Sequence, residues 1–90
     1  MHRAVEAHVT GRVQGVSFRY YAEHQARRLG VAGWVRNEPD GSVAAHVEGE
    51  AQAVDAMVDW LRQGPPAARV DRVDVSETQL TGATSFEVRF

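Results

Sequence analysis

The stretch Val5-Glu6-Ala7-His8-Val9-Thr10-Gly11-Arg12-Val13-Gln14-Gly15-Val16-Ser17-Phe18-Arg19-Tyr20-Tyr21-Ala22 changes its period halfway along. Val5, Ala7 and Val9 alternate with Glu6, His8 and Thr10, the two-residue period of a strand with one buried face. From Phe18 the apolar residues fall instead at Phe18, Ala22, Ala26 and Leu29, which share one helical face, and Gly30 predicts a C-terminal stop. The segment from Gly11 to Ser17 fits neither period, contains two glycines and reads as a loop.

The remaining elements are read by the same rules. Val31 to Asn37, with Trp34 and two valines, reads as a strand, and Pro39-Asp40-Gly41 is a turn signal. Val43, Ala45 and Val47 alternate as a hairpin partner. Val54, Met57, Val58 and Leu61 mark a second amphipathic helix, ended by Gly64-Pro65-Pro66. Val70 to Val75 reads as a fourth strand with an irregularity near Asp71-Arg72 that suits a bulge. Phe86, Val88 and Phe90 alternate as a short last strand. The order β-α-β-β-α-β plus a terminal strand predicts an α+β fold of ferredoxin-like, split βαβ type. Two helices should pack on one face of a mainly antiparallel sheet. The pattern does not place the last strand in the sheet order. Residues 1–90 suffice for a single domain, and no repeat or linker divides them. The fold leaves function open, because it hosts enzymes, metal carriers and RNA binders.

Composition narrows the choice. There is no cysteine, which excludes disulfides, thiolate catalysis and cysteine-ligated metal. All ten basic residues are arginine, so Schiff-base chemistry and a Walker-type lysine are excluded as well. A net charge of −2 argues against a general binder of nucleic acid or anionic membrane. The first residues, Met1-His2-Arg3-Ala4-Val5-Glu6, lack the apolar stretch of a signal peptide, and no apolar run approaches the roughly 20 residues that span a bilayer. A cytoplasmic location fits these features.

The segment Gly11 to Arg19 joins a strand to a helix and places an arginine in the first helical turn. Helix N-termini carry unpaired N–H groups and partial positive charge, and a glycine-containing loop can turn further amides inward as an anion nest. An arginine there adds a planar, permanently charged fork that matches phosphate oxygens. Gln14, Gly15, Val16, Ser17, Phe18 and Arg19 are therefore candidate phosphate-binding residues. Taken alone they leave a plain alternative, glycines that make a turn beside a surface arginine. Asn37, just before a turn, has the same double reading. It suits a turn-shaping residue, and its amide, both donor and acceptor, could orient a water.

Two motifs resolve this ambiguity by resemblance. Gly11 to Arg19, with Val13-Gln14-Gly15-Val16 and Phe18-Arg19, resembles the first acylphosphatase signature. Gly33-Trp34-Val35-Arg36-Asn37 followed by Pro39-Asp40-Gly41-Ser42-Val43 resembles the second, and the ending Phe86-Glu87-Val88-Arg89-Phe90 fits too. The resemblance implies a small acylphosphatase that hydrolyses a carboxyl-phosphate bond. Arg19 and loop amides would bind the phosphate and Asn37 would position the nucleophilic water, with no metal or other cofactor. The implied partner is a small acyl phosphate, with phosphate or sulfate as a product-like ligand. Neither nucleic acid, nor a membrane, nor a second subunit is called for. Similar domains also occur in larger proteins that mature hydrogenases, so a phosphate-binding module without turnover is the alternative. The chain's end at Phe90 is expected to favour the free-standing enzyme.

Other polar residues carry less. His2, His8, His24 and His46 show no metal-ligand spacing and read as surface or sheet-face histidines. Asp71, Asp74, Glu48 and Glu50 read as solvated charges. Ser17 has no base nearby in sequence, Trp34 and Trp60 read as packing residues, and Tyr20 and Tyr21 as surface residues at the border of the site. An RNA-binding sheet would show aromatic residues on its central strands, and Val5 to Thr10 and Ser42 to Val47 contain none.

Overall fold

The computed structural model describes residues 1–90. The chain runs β1 (His2–Arg12), α1 (Phe18–Leu29), β2 (Ala32–Asn37), β3 (Val43–Glu50), α2 (Ala51–Gln63), β4 (Arg69–Thr78) and β5 (Phe86–Arg89). The five strands form one sheet in the order β4-β1-β3-β2-β5. The pairs β1–β3, β1–β4 and β2–β3 are antiparallel, and β2–β5 is parallel. This is the split βαβ arrangement read from the periodicities. The last strand, which periodicity could not place, lies at the edge beside β2. Neither helix is long and apolar enough to cross a membrane.

Both amphipathic stripes bury where their spacing points. α1 buries Phe18, Ala22 and Ala26, and α2 buries Val54, Met57 and Leu61. They cover the sheet face formed by Val5, Ala7, Val9, Val35, Val43, Ala45 and Val47 in one continuous core. Each fully buried large side chain, such as Met57 or Leu61, contributes about 1.5–3 kcal/mol of hydrophobic stabilisation. Trp60 packs on Phe18 with ring centroids 5.5 Å apart and so joins the two helices. The irregularity expected near Asp71 is real: Thr10 pairs with Arg72 and Gly11 with Val70, which leaves Asp71 as the extra residue of a bulge.

The opposite sheet face corrects one expectation. Glu48, read as solvated from sequence, is only 5% exposed. The connection from β4 to β5 must travel from one edge of the sheet to the other, and residues Thr81 to Ala83 close over this carboxylate. One oxygen accepts the Thr81 N–H at 3.0 Å, the Thr81 hydroxyl at 2.9 Å and the His46 Nε2–H. The other accepts the Gly82 and Ala83 N–H groups, each at 3.0 Å. Across the ladder Glu48 is flanked by Ala4 and Ala32, small residues that leave room for the crossing chain. His46 is also buried, stacked 6.2 Å from Trp34. The burial arises from a contact 33 to 35 residues away in sequence, which local pattern cannot show.

Gly33 marks how closely the strands approach. Its φ is +137°, and a Cβ there would sit 1.7 Å from the His46 carbonyl oxygen. Gly33→Ala is expected to lower unfolding free energy by about 2–3 kcal/mol or more, from backbone strain plus overpacking, measured by urea denaturation. Wild-type resistance at this position would mean that β2 and β3 can separate without loss.

Burial pushes the Glu48 carboxyl up, but the hydrogen bonds from His46, Thr81 and Ala83 outweigh it and hold the group at about 2, below its ordinary 4.5. A depressed folded-state value stabilises the fold above the unfolded value, and that contribution fades as pH falls towards 2. Urea midpoints of the wild type should therefore drop between about pH 5 and pH 2 more steeply than those of Glu48→Gln, which has no proton to gain there. Parallel curves would show that Glu48 is not the group responsible.

Candidate active site

β1 and β2 are each antiparallel to the strand between them, β3. They therefore run in the same direction, and their C-terminal ends emerge at the same end of the sheet with β3 between them. β1 is followed by the loop to α1, and β2 ends on Asn37. One pocket of about 270 Å³ is lined by Gly15, Ser17, Phe18, Arg19, Tyr20 and Asn37. Arg19 and Asn37, 18 positions apart in sequence, thus face the same space.

The loop is shaped by left-handed backbone at Gly15 (φ +74°) and Ser17 (φ +61°), the latter the sole non-glycine residue in that region. Ser17 occupies the N-cap of α1 without a side-chain capping bond. The first helical bond runs from the Tyr21 N–H to the Ser17 carbonyl at 3.1 Å. No backbone hydrogen bond is donated by residues 15 to 20. Five of these six residues line the pocket, and their amides, with the positive end of a 12-residue helix behind them, make it attractive to an anion.

Not every loop residue serves the pocket directly. The Gln14 carboxamide donates to the Glu38 carbonyl at 2.7 Å and the Ser42 carbonyl at 2.8 Å, so it braces the loop against the β2–β3 turn. Val16 packs against the core. Tyr20, half exposed, borders the pocket, whereas Tyr21 lies outside it.

The turn after β2 is held by residues other than Asn37. The Asp40 carboxylate accepts the Ser42 N–H at 3.0 Å and the Ser42 hydroxyl, and these bonds hold its pKa below the ordinary carboxyl value. Glu38 N–H donates to the Ser42 carbonyl at 2.9 Å. Asp40 does the turn-shaping, which leaves the Asn37 side chain on the pocket wall. His8 Nε2 also meets the Ser42 hydroxyl. That hydroxyl gives its proton to Asp40, so His8, Ser42 and Asp40 form a structural brace, with no base poised to activate the serine.

Arg19 is oriented by an element that pattern reading did not connect to it. Its Nη1 donates to the Arg89 carbonyl at 2.8 Å, and its guanidinium lies 4.6 Å from the centroid of the Phe90 ring. β5, parallel to β2, ends at the same end of the sheet and supplies both contacts. The Arg89 side chain meanwhile lies 5.0 Å from the Trp34 ring centroid, alongside Arg36 at 4.7 Å, which ties β5 to β2. The alternation of Phe86, Val88 and Phe90 was the available signal that the last residues form an element. Nothing local linked that element to Arg19.

A somewhat larger cavity, about 320 Å³, lies on the open sheet face between Glu6, His8, Trp34, Arg36 and Asp74. Its charges are already engaged, Arg36 with Glu38 at 3.1 Å and Asp74 with Arg72 at 2.8 Å. It offers no convergent set of donors like that around Arg19. Nowhere do three or more His, Cys, Asp or Glu side chains group to hold a metal ion.

Known proteins match this chain along nearly its whole length. The family model described as acylphosphatase matches residues 5–88. The acylphosphatase of Nocardioides sp. is 63% identical over 89 residues, covering 99% of this chain and 90% of that protein. The crystal structure of acylphosphatase from Bacillus subtilis superposes with a TM-score of 0.94 at 35% identity, covering 100% of both chains. A segment of Thermococcus kodakarensis HypF gives a TM-score of 0.85 at 31% identity, covering 98% of this chain and 12% of that one. Sequence and fold thus agree, and the chain belongs to the acylphosphatase family.

Proposed function

We propose that this enzyme hydrolyses acyl phosphates to a carboxylate and inorganic phosphate by direct attack of water, with Arg19 and the loop amides holding the phosphoryl group and Asn37 orienting the water. The observation that carries the reading is the single pocket in which a guanidinium, a helix N-terminus and a free-standing carboxamide meet. Family membership supports a hydrolase of this class.

The chemistry asks for little more. An acyl phosphate expels a carboxylate, a good leaving group, so no strong general acid is needed. An alkyl phosphate expels an alkoxide and usually needs an acid or a metal. Phosphoryl transfer through a loose transition state relies on positioning and on stabilising charge on the equatorial oxygens. Amides of residues 15 to 20 and the Arg19 fork supply donors to those oxygens. Because Arg19 is already held by the Arg89 carbonyl and the Phe90 ring, its charge need not be ordered during the reaction. The Asn37 carboxamide can accept from a water and donate to it or to a phosphoryl oxygen, fixing an in-line approach. No side chain forms a covalent phosphoenzyme in this scheme. The pocket contacts one phosphoryl group and little else, which favours breadth in the acyl part. A metal-free, monomeric enzyme acting in the cytoplasm, without nucleic acid or membrane partners, completes the proposal. The absence of cysteine and the slightly negative charge are in keeping with it.

Activity on a small aromatic acyl phosphate should survive chelator, and alkyl phosphate monoesters should turn over far more slowly. Loss in chelator with recovery in magnesium would overturn the metal-free scheme.

Arg19→Ala should lower turnover by roughly 100-fold or more, the size seen when one transition-state donor is removed, and should also weaken competitive inhibition by phosphate. Arg19→Lys should remain poor, because it keeps charge without the fork. Asn37→Ala should lose turnover while phosphate inhibition stays near wild type, since water orientation matters to the transition state and not to holding phosphate. Steady-state kinetics with phosphate titration, on variants confirmed as folded by circular dichroism, measures both. A wild-type rate in Asn37→Ala would reduce Asn37 to a wall residue. Phosphate binding without any turnover in the wild type would favour a binding module.

A further inference from the structure

Glu48 stands at the far end of the sheet from the pocket. From Val43, where β3 leaves the active-site turn, to Glu48 is five residues, about 17 Å of extended chain. A carboxylate buried there is costly: removing an ion from water costs several kcal/mol unless its lone pairs are satisfied. Five donors satisfy it, and four of them belong to Thr81, Gly82 and Ala83. An apolar residue could fill the same space, but apolar contact has no direction and would let the crossing chain slide. Hydrogen bonds to both carboxylate oxygens fix the segment along the strand axis as well as against the sheet.

That segment leads directly into β5. The Ser85 carbonyl accepts the Gly33 N–H at 3.0 Å, Phe86 pairs with Gly33, and Arg89 pairs with Arg36. Only four residues of this parallel strand are paired, a short ladder of the weaker kind. Phe86, buried in the core, fixes which face is inward, since a one-residue slip would turn it out to solvent. It does not by itself fix the height of the strand's far end, and that end carries the Arg89 carbonyl and the Phe90 ring that hold Arg19.

We infer that Glu48 is a positioning residue for Arg19: by latching Thr81 to Ala83 it sets where β5 lies against β2, and so where the guanidinium is held over the pocket. The inference rests on the reading of Arg19 as the phosphate ligand. It assigns a buried acid outside the pocket to substrate affinity, and explains why a charge is kept buried under the crossing chain at the end of the sheet remote from the chemistry.

The test is the split between KM and kcat in Glu48→Ala, Glu48→Gln and Thr81→Ala, with Arg19→Ala assayed in parallel. A purely structural role would shrink the folded fraction, which lowers apparent kcat and leaves KM and the inhibition constant for inorganic phosphate unchanged. A positioning role raises both constants. Glu48→Ala should raise them roughly tenfold, since small misplacements of a binding group far from the chemistry are costly. Glu48→Gln, which keeps one acceptor oxygen but loses two or three of the five bonds, should fall between it and wild type. Thr81→Ala removes one part-buried hydroxyl bond and keeps the three backbone ones, so it should leave the fold intact and raise both constants about two- to threefold. If Glu48→Ala does not fold, the other two variants decide the matter. Lowered kcat with wild-type KM and phosphate inhibition in the folded variants would overturn the inference. If Arg19→Ala itself keeps normal phosphate inhibition, the reading of the site has failed instead.

Discussion

The antiparallel pairing of β3 with both of its neighbours is the constraint on which the rest of the molecule depends. It makes β1 and β2 run the same way, so the loop after one and the last residue of the other arrive at one end of the sheet. β5, parallel to β2, ends there too. Three strand ends from distant parts of the chain therefore supply, in turn, an amide-lined loop, a carboxamide and a support for the arginine. A helix packed behind the loop adds its positive end. None of these parts is unusual alone, and the site is their coincidence.

That coincidence is held in place by polar braces at both ends of the sheet. At the pocket end Gln14 ties the loop to the β2–β3 turn, and Asp40 with Ser42 and His8 holds the turn itself. At the other end Glu48 gathers the returning chain. In each case a directional bond is used where apolar packing would leave a segment free to slide. The core supplies most of the stability, and the braces determine position. In the reading proposed for the site this division matters, because phosphoryl transfer without a strong acid relies on groups already in place when the substrate arrives.

The fold by itself would not have indicated any of this chemistry. Essentially the same architecture forms a segment of HypF that is 12% of that protein's length. Function is read from the residues at the pocket and from family membership, with the sheet as the frame that brings those residues together.

Sequence alone determined the elements, because each one's buried face is written in its own period: Val5, Ala7 and Val9 for a strand, Phe18, Ala22 and Ala26 for a helix, Val54, Met57 and Leu61 for another. Even the bulge at Asp71 was legible, since it interrupts a local alternation. The two candidate residues, Arg19 and Asn37, were also legible, through motifs that surround them in the chain. Their meeting was not. It depends on strand directions, which are set by pairing across the sheet and leave no mark in local spacing. The same holds for Glu48, whose solvated reading was overturned by a contact more than 30 residues away, and for β5, whose place beside β2 only the assembled sheet could decide. Periodicity records which side of an element meets the core; what an element meets at its ends is set by the path of the whole chain, and here the pocket and its supports lie at the ends.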